Sequence, residues 1–248
     1  ESIRMLRKSF VLRWEMDTTK YDLVDYTGYE VESRVSEVTG LQQMYYNREK
    51  TWEEQVPYYN SFKPSVTVTA PDAYIIPQAW HEVINRLRWA GVAMEPLEKD
   101  TLMEVEAYYI ESFETTDNPY NGHYWHPSVT LRKEKMPVSF YQGDMRVPVD
   151  QPAASLIVQT LEPQGYDSFF SWNFFDAVLS RKEYFSPYIF DEKAGTLLAN
   201  DPALKNAFEQ KKKEDPDFAG NGYAQLQWIY FRSPYSEKTY RRYPVYRK

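Results

Sequence analysis

Three histidines carry most of the chemistry this chain could offer, and each stands in a specific pattern. In "AWHEVINRL", residues 79–87, His81 and Glu82 open the arrangement H-E-x-x-H. That arrangement sets two imidazoles one helical turn apart as zinc ligands and uses the glutamate as general base. The second histidine position is Asn85, and a carboxamide is a poor zinc ligand. Trp80, Val83, Ile84 and Leu87 recur at i, i+3, i+4 and i+7, which predicts an amphipathic helix over 78–90. On that helix His81 and Asn85 lie on the flank of the apolar stripe, Glu82 pairs with Arg86 one turn on, and Gly91 ends the run.

His123 and His126 fall in "NGHYWHP". A His-x-x-His pair in a loop holds a metal only if a third ligand arrives from elsewhere, and Glu114 and Asp117 are the nearest carboxylates upstream. The competing reading is a loop whose rings pack on a sheet. His123 and His126 are therefore the only metal candidates, and no metal site is assigned. Glu104 and Glu106 share one face of an alternating stretch, as expected on the solvent side of an antiparallel sheet. There is no G-x-S-x-G elbow, no P-loop, and only an isolated G-x-G at Gly220, so no catalytic residue is assigned. Two ring clusters remain as binding candidates: Tyr45, Tyr46, Trp52, Tyr58 and Tyr59 in one segment, Tyr124 and Trp125 in another. Exposed rings of this kind stack on sugars or dock a partner.

Composition narrows the classes. The 248 residues are 42% hydrophobic and 17% aromatic, with 22 Tyr and 7 Trp, enough for a sizeable core. A net charge of -7 without a long basic run argues against nucleic acid as a partner. With no cysteine there is no disulfide, thiol nucleophile or thiolate metal site. No apolar run has the length of a membrane span. The opening "ESIRMLRKSF" lacks an initiator Met and a signal-peptide core, and reads as a start inside a longer chain.

The elements that must position these residues suggest an α+β fold: an antiparallel β-rich part, a βαβ unit, and C-terminal helices packed on them. Residues 1–71 alternate like strands, with 42–64 as edge strand and loop. Residues 72–150 hold the βαβ unit, "AYIIP"–helix–"VAMEPL", with parallel strands and a right-handed crossover. Further antiparallel strands follow, over 102–114 and 128–149. Gly143-Asp144 suits a tight hairpin turn with glycine at its first central position. Residues 151–248 read as helical: one helix capped by Asp150 with Pro152 in its first turn and Leu156, Ile157 and Leu161 as its stripe; a second over "SWNFFDAVLS"; a third capped by Asp201 and ending in Lys211–Lys213. The three parts are expected to form one compact unit.

Several segments together resemble a known family. "PDAYIIPQAWHEVINRLRWAGVAMEPLEKDT", "GDMRVPVDQPAASLIVQTLEPQGYDSFFSWNFFDAVL", "WEMDTTKYDLVDYTGYEV" and the closing "RYPVYR" are similar to the region after the catalytic domain in bacterial M14-type zinc carboxypeptidases of the kind common in Bacteroidetes. The resemblance spans about Trp14 to Arg247 and implies an exported, periplasmic or extracellular parent enzyme holding zinc in an upstream peptidase domain. That family's His-x-x-Glu ligand motif is absent here, so none of its catalytic residues carries over. The expected function is an accessory, non-catalytic C-terminal region that supports or gates the upstream peptidase domain. The alternative is an independent module binding glycans or cell-wall peptides through its Tyr/Trp clusters.

Overall fold

The computed structural model describes residues 9–248, and the segment ESIRMLRK, read above as the start of a longer chain, lies outside them. The fold is α+β, with antiparallel sheets and helices. Where the sequence reading expected one compact unit, the described residues group into two, 9–69 and 70–248.

The first unit is a long two-stranded ribbon. β1 (Ser9–Met16) pairs antiparallel with β4 (Phe62–Thr69), and β2 (Asp22–Val35) with β3 (Gln42–Tyr58). The segment expected to be part loop is thus mostly one strand of 17 residues. Its irregularity is confined to a bulge, where Tyr29 faces Thr51 and Glu30 already faces Asn47. At the tip the Ser36 hydroxyl accepts from the backbone of Val38 and Thr39, and Gly40 takes φ +71°, open to glycine without a Cβ penalty. Between residues 18 and 60 only Gly28 is buried, because the Trp52 ring lies where a Cβ would stand. An aromatic ring laid over a strand glycine restores the contact that the missing side chain would have made.

In the second unit, six antiparallel strands make one sheet. Its members are β5 (Ala73–Ile76), β6 (Glu95–Pro96), β7 (Thr101–Phe113), β8 (Val129–Phe140), β9 (Met145–Pro148) and β10 (Tyr246–Arg247), in the order β6-β9-β5-β10-β7-β8. β5 and β6 run the same way, as a βαβ unit requires, but β9 lies between them and pairs antiparallel with both. Gly143, at φ +95°, is the second central residue of its turn, since Asp144 N–H donates to Tyr141 C=O. It does not close a hairpin: β8 pairs only with β7, and the turn carries the chain back across the sheet. β8, at the edge, bears Arg132, Lys133, Glu134, Lys135 and Pro137, residues that discourage pairing with another strand.

The helix expected over 78–90 forms as a single 3-10 turn and then α1 (His81–Trp89). Val83, Ile84 and Leu87 are buried, and Trp80 meets Phe175 edge-on at 4.9 Å. Gly91 N–H donates to Arg88 C=O and Val92 N–H to Leu87 C=O, the paired bonds of a Schellman stop. α2 (Ala154–Leu161) starts three residues later than a cap at Asp150 would place it, and Ala153 offers no side-chain cap. "SWNFFDAVLS" is not a helix: Asn173 has φ +68°, and only Asp176–Val178 make a 3-10 turn. That geometry sends Phe170 and Phe175 into the core, where both are fully buried.

α3 (Pro187–Asn200), α4 (Pro202–Glu214), α5 (Pro216–Ala219) and α6 (Gly222–Tyr230) complete the helices of the described residues. Asp201 caps α4 as expected, accepting from Leu204 N–H at 2.9 Å. Phe190, Ala194, Phe208, Phe218, Ile229 and Tyr230 form the core between these helices, separate from the sheet core of Ile75, Val105, Ala107, Val138, Phe140 and Tyr246.

On α1, His81 is exposed and Arg86 reaches Glu82 at 2.5 Å. Replacing His81 with Ala should leave stability nearly unchanged, whereas Ile84→Ala or Leu87→Ala should cost about 2–5 kcal/mol. Denaturant melts of the three variants check this; equal losses at His81 and Leu87 would contradict the helix face.

Candidate functional site

The histidine-bearing loop, residues 114–128, leaves β7 and returns to β8. Asn121 and Gly122 both take positive φ, and Tyr120 and His123 exchange both backbone hydrogen bonds across them. This is the Asn-Gly two-residue hairpin, whose central residues must both sit in the left-handed region. The turn turns His123 toward Trp172 (5.7 Å, edge-on) and Phe174 (6.4 Å, stacked), while Tyr120 lies 6.2 Å from Trp172. Trp125 packs on Tyr166 at 4.8 Å, and Tyr124 stays exposed.

His126 is buried and held on every side. Its Nδ1 is 3.0 Å from the Thr115 hydroxyl and its Nε2 3.0 Å from Asp176 Oδ1, and its ring packs against both Phe113 and Phe170. Asn173 Nδ2 donates to Tyr124 C=O at 2.7 Å and also stands 3.1 Å from Nε2. His126 N–H donates to Ser171 C=O, and Ser171 is fixed in turn through the buried Ser168 hydroxyl and Gly165 C=O. Gly165 is required because a Cβ would stand 2.2 Å from the Gln159 carbonyl oxygen.

A hydroxyl, an imidazole and a carboxylate in one string have the elements of an activated nucleophile. Such a string also needs a place for substrate and donors for an oxyanion. Three depressions of this unit, about 570 Å³ beside Glu95–Thr101, about 480 Å³ beside Tyr109 and Met136, and about 240 Å³ beside Phe190 and Tyr235, are lined by other residues than Thr115, His126 and Asp176. The string works as a staple joining loop 114–128 to the segment after α2. As for metals, His126 is committed to Thr115 and Asp176 and His123 to two rings. Among the described residues, no group of three His, Cys, Asp or Glu is placed to hold an ion.

The ribbon splits the other candidates between its faces. Tyr45 lies on the polar face, donating to Glu32 at 2.6 Å, with Lys50 on the same carboxylate at 2.7 Å and Asn47 at 3.1 Å. Lys50, then Tyr45 and Asn47, hold the Glu32 carboxyl down at about 2. Tyr46 points to the opposite face, opposite Val31. Trp52 leans on Gly28 and lies 5.7 Å from Tyr26. Tyr58 and Tyr59 stand at the other end, Tyr59 beside Tyr21.

Of the two carboxylates placed on a solvent face by their alternation, Glu104 is exposed as expected and Glu106 is not. Glu106, half-buried, accepts from Arg247 Nη1. Arg247 Nε lies 3.1 Å from Glu162 Oε1, and Tyr74 donates to the same oxygen at 2.6 Å. Glu162 is 2% exposed. Burial raises its pKa, opposed by Arg247 and by the hydroxyls of Tyr74 and Tyr108. Burial also raises Tyr74 and Tyr108, helped by the Glu162 charge. Nothing in the spacing of Glu106, Glu162 and Arg247 announces this cluster; only the buried polar position of Glu162 beside an apolar helix end hints at it.

Comparison with known proteins gives a partial relation. The chain is 29% identical over 110 residues to Carboxypeptidase 2 of Trichophyton rubrum, and 30% over 107 residues to the proteins of the same name from Trichophyton tonsurans and Trichophyton equinum. These matches cover 43–44% of this chain and span about 20% of the length of each relative. No family model and no solved structure matches. The chain thus contains a carboxypeptidase-related region.

Two outcomes follow from these sites. Arg247→Met leaves Glu162 buried without its cation and should cost about 3–5 kcal/mol, with Glu162→Gln in the same chain recovering part of the loss; urea melts of the single and double variants measure it. The Glu32 carboxyl is depressed, so its network contributes fully above the ordinary value of 4.5 and is lost as pH falls toward about 2. NMR titration of the Glu32 carboxyl and the Tyr45 ring should show both moving together at the low end, and Glu32→Gln should abolish the step.

Proposed function

We propose that this chain is an accessory, non-catalytic region of an exported M14-type zinc carboxypeptidase, and that it supports or gates an upstream peptidase domain. The observation that carries the reading is the similarity to a fifth of the length of proteins named Carboxypeptidase 2. The placement of the chemistry-bearing side chains supports it: His126 is locked into a staple, and Glu162 is sealed beneath the sheet. In this reading zinc belongs to the peptidase domain, and the setting is periplasmic or extracellular.

The loop face of Tyr120, Tyr124, Trp125, Tyr166 and Trp172 is the proposed contact for that domain. Its rings stand on a rigid support, so little ordering is needed on docking. Among the described residues no helix is long and apolar enough to cross a membrane.

Joining this chain to its peptidase domain and measuring hydrogen exchange with and without that domain tests the reading. Protection gained over residues 120–125 and 166–172 is expected. Protection of the same rings by soluble glycans or muropeptides instead would move the assignment to a binding module. Peptide hydrolysis by residues 1–248 alone, abolished by a substitution within them, would overturn both.

A further inference from the structure

The ribbon's far half has two unlike faces. Glu30, Glu32, Arg34, Tyr45 and Lys50 share one, tied by ion pairs and by the Arg34 guanidinium over the Tyr45 ring. The register places Val31 opposite Tyr46 and Ser33 opposite Met44 on the other, flanked along β2 by Tyr29 and Val35. The paired positions of that second face, Val31, Ser33, Val35, Gln42, Met44 and Tyr46, carry no charge. Its residues are open: Met44 is 77% exposed, Tyr46 68% and Val31 57%. Toward the ribbon's base the same face changes character, with Thr27 opposite Glu53 and Asp25 opposite Gln55.

We propose that this apolar face is the contact between two copies of the chain, packed face to face through their ribbons. Three observations single out a second copy. First, a lone two-stranded ribbon is marginal in water, whereas two stacked about 10 Å apart make a four-stranded sandwich with an interior. Second, the paired positions of the face are uncharged, and its two polar side chains, Ser33 and Gln42, satisfy each other, so it is complementary to itself and carries no charge pattern that would select a different protein. The chain's net charge of -7 opposes self-association elsewhere, but along the paired far half of the ribbon the acidic groups, Glu30 and Glu32, lie on the other face. Antiparallel packing about a two-fold axis sets apolar stretch on apolar stretch and keeps Asp25 and Glu53 of one copy away from those of the other. Third, five large residues at these exposures present roughly 600 Å², the upper end of what a monomer leaves bare. Two copies would then bury about 1,200 Å², the lower bound for a specific interface. The tip is already ordered by Ser36 and Gly40, so pairing has no loop to freeze.

Sedimentation equilibrium of the 248-residue chain should show a dimer at micromolar concentration. The double variant Val31→Glu/Tyr46→Glu places charge on the face without removing a buried side chain, and should weaken association at least tenfold with an unchanged circular-dichroism spectrum. Gln43→Glu, on the opposite face, should leave it intact. Because the chain has no cysteine, Met44→Cys supplies a single thiol, and a short bismaleimide should cross-link it far more efficiently than Gln43→Cys. A wild-type chain that stays monomeric to high micromolar concentration overturns the proposal. So does a dimer that the double variant leaves as tight as before. This outcome is separate from that of the hydrogen-exchange experiment on the peptidase domain.

Discussion

The larger unit depends on Arg247. β10 is two residues long, yet it is the strand that joins the two halves of the six-stranded sheet, with Tyr246 facing Ile75 and Arg247 facing both Tyr74 and Glu106. So short a strand contributes few ladder hydrogen bonds of its own. What holds it is the Arg247 side chain, which reaches Glu162 at the end of α2 and Glu106 on β7, while Tyr74 on β5 donates to Glu162. Three elements distant in sequence thus converge on one guanidinium. A buried ion pair is weak as a source of stability, because desolvation offsets much of the attraction. It is strong as a selector of register. A one-residue slip of the C-terminal strand would turn Arg247 to the other face and leave Glu162 buried and unpaired.

From that register the aromatic layer follows. The segment entering β10 runs along β7, with Tyr243 N–H donating to Tyr108 C=O and Ile110 N–H to Arg241 C=O. Tyr243 is thereby buried beneath Phe170 and Phe175, its hydroxyl on Leu161 C=O. Phe170 supports His126 and Phe175 supports Trp80, while the loop rings Tyr120 and His123 rest on Trp172 and Trp125 on Tyr166, in the same segment as those two phenylalanines. The surface that displays Tyr124 is therefore the outer layer of a stack that begins at the sheet, and its rigidity comes from packing rather than from the loop's own sequence.

Local physics was legible in advance, and long-range physics was not. The α1 stripe, the Gly91 stop, the Asp201 cap and the alternation of β7 depend on neighbours within a turn or two, so period and capping residues reveal them. "SWNFFDAVLS" misleads because three rings and the apolar Val178 and Leu179 in ten residues suit a helix, while the left-handed Asn173 and the pull of Phe170 and Phe175 toward the sheet decide otherwise. Asn121-Gly122 was a visible hairpin signal within the loop chosen for its histidines. Glu106 looked like an ordinary solvent-face carboxylate because its partner lies 141 residues away. The insertion of β9 between β5 and β6 follows from the chain crossing the sheet after Gly143, which no local pattern encodes.

The two surfaces rich in rings differ in what burial they already possess. In the loop, Tyr120, His123 and Trp125 each pack on another ring, and the polar atoms beneath are joined through His126, Asn173 and Asp176. Such a surface is stable by itself and can bind without reorganising. On the ribbon, the hydrogen bonds and ion pairs of one face fix the backbone and leave the apolar side chains of the other with nothing to cover them. Polar order therefore holds the ribbon in shape, and apolar burial is the contribution it still lacks. That asymmetry is the physical reason to treat the loop as a platform and the ribbon as an element completed by association.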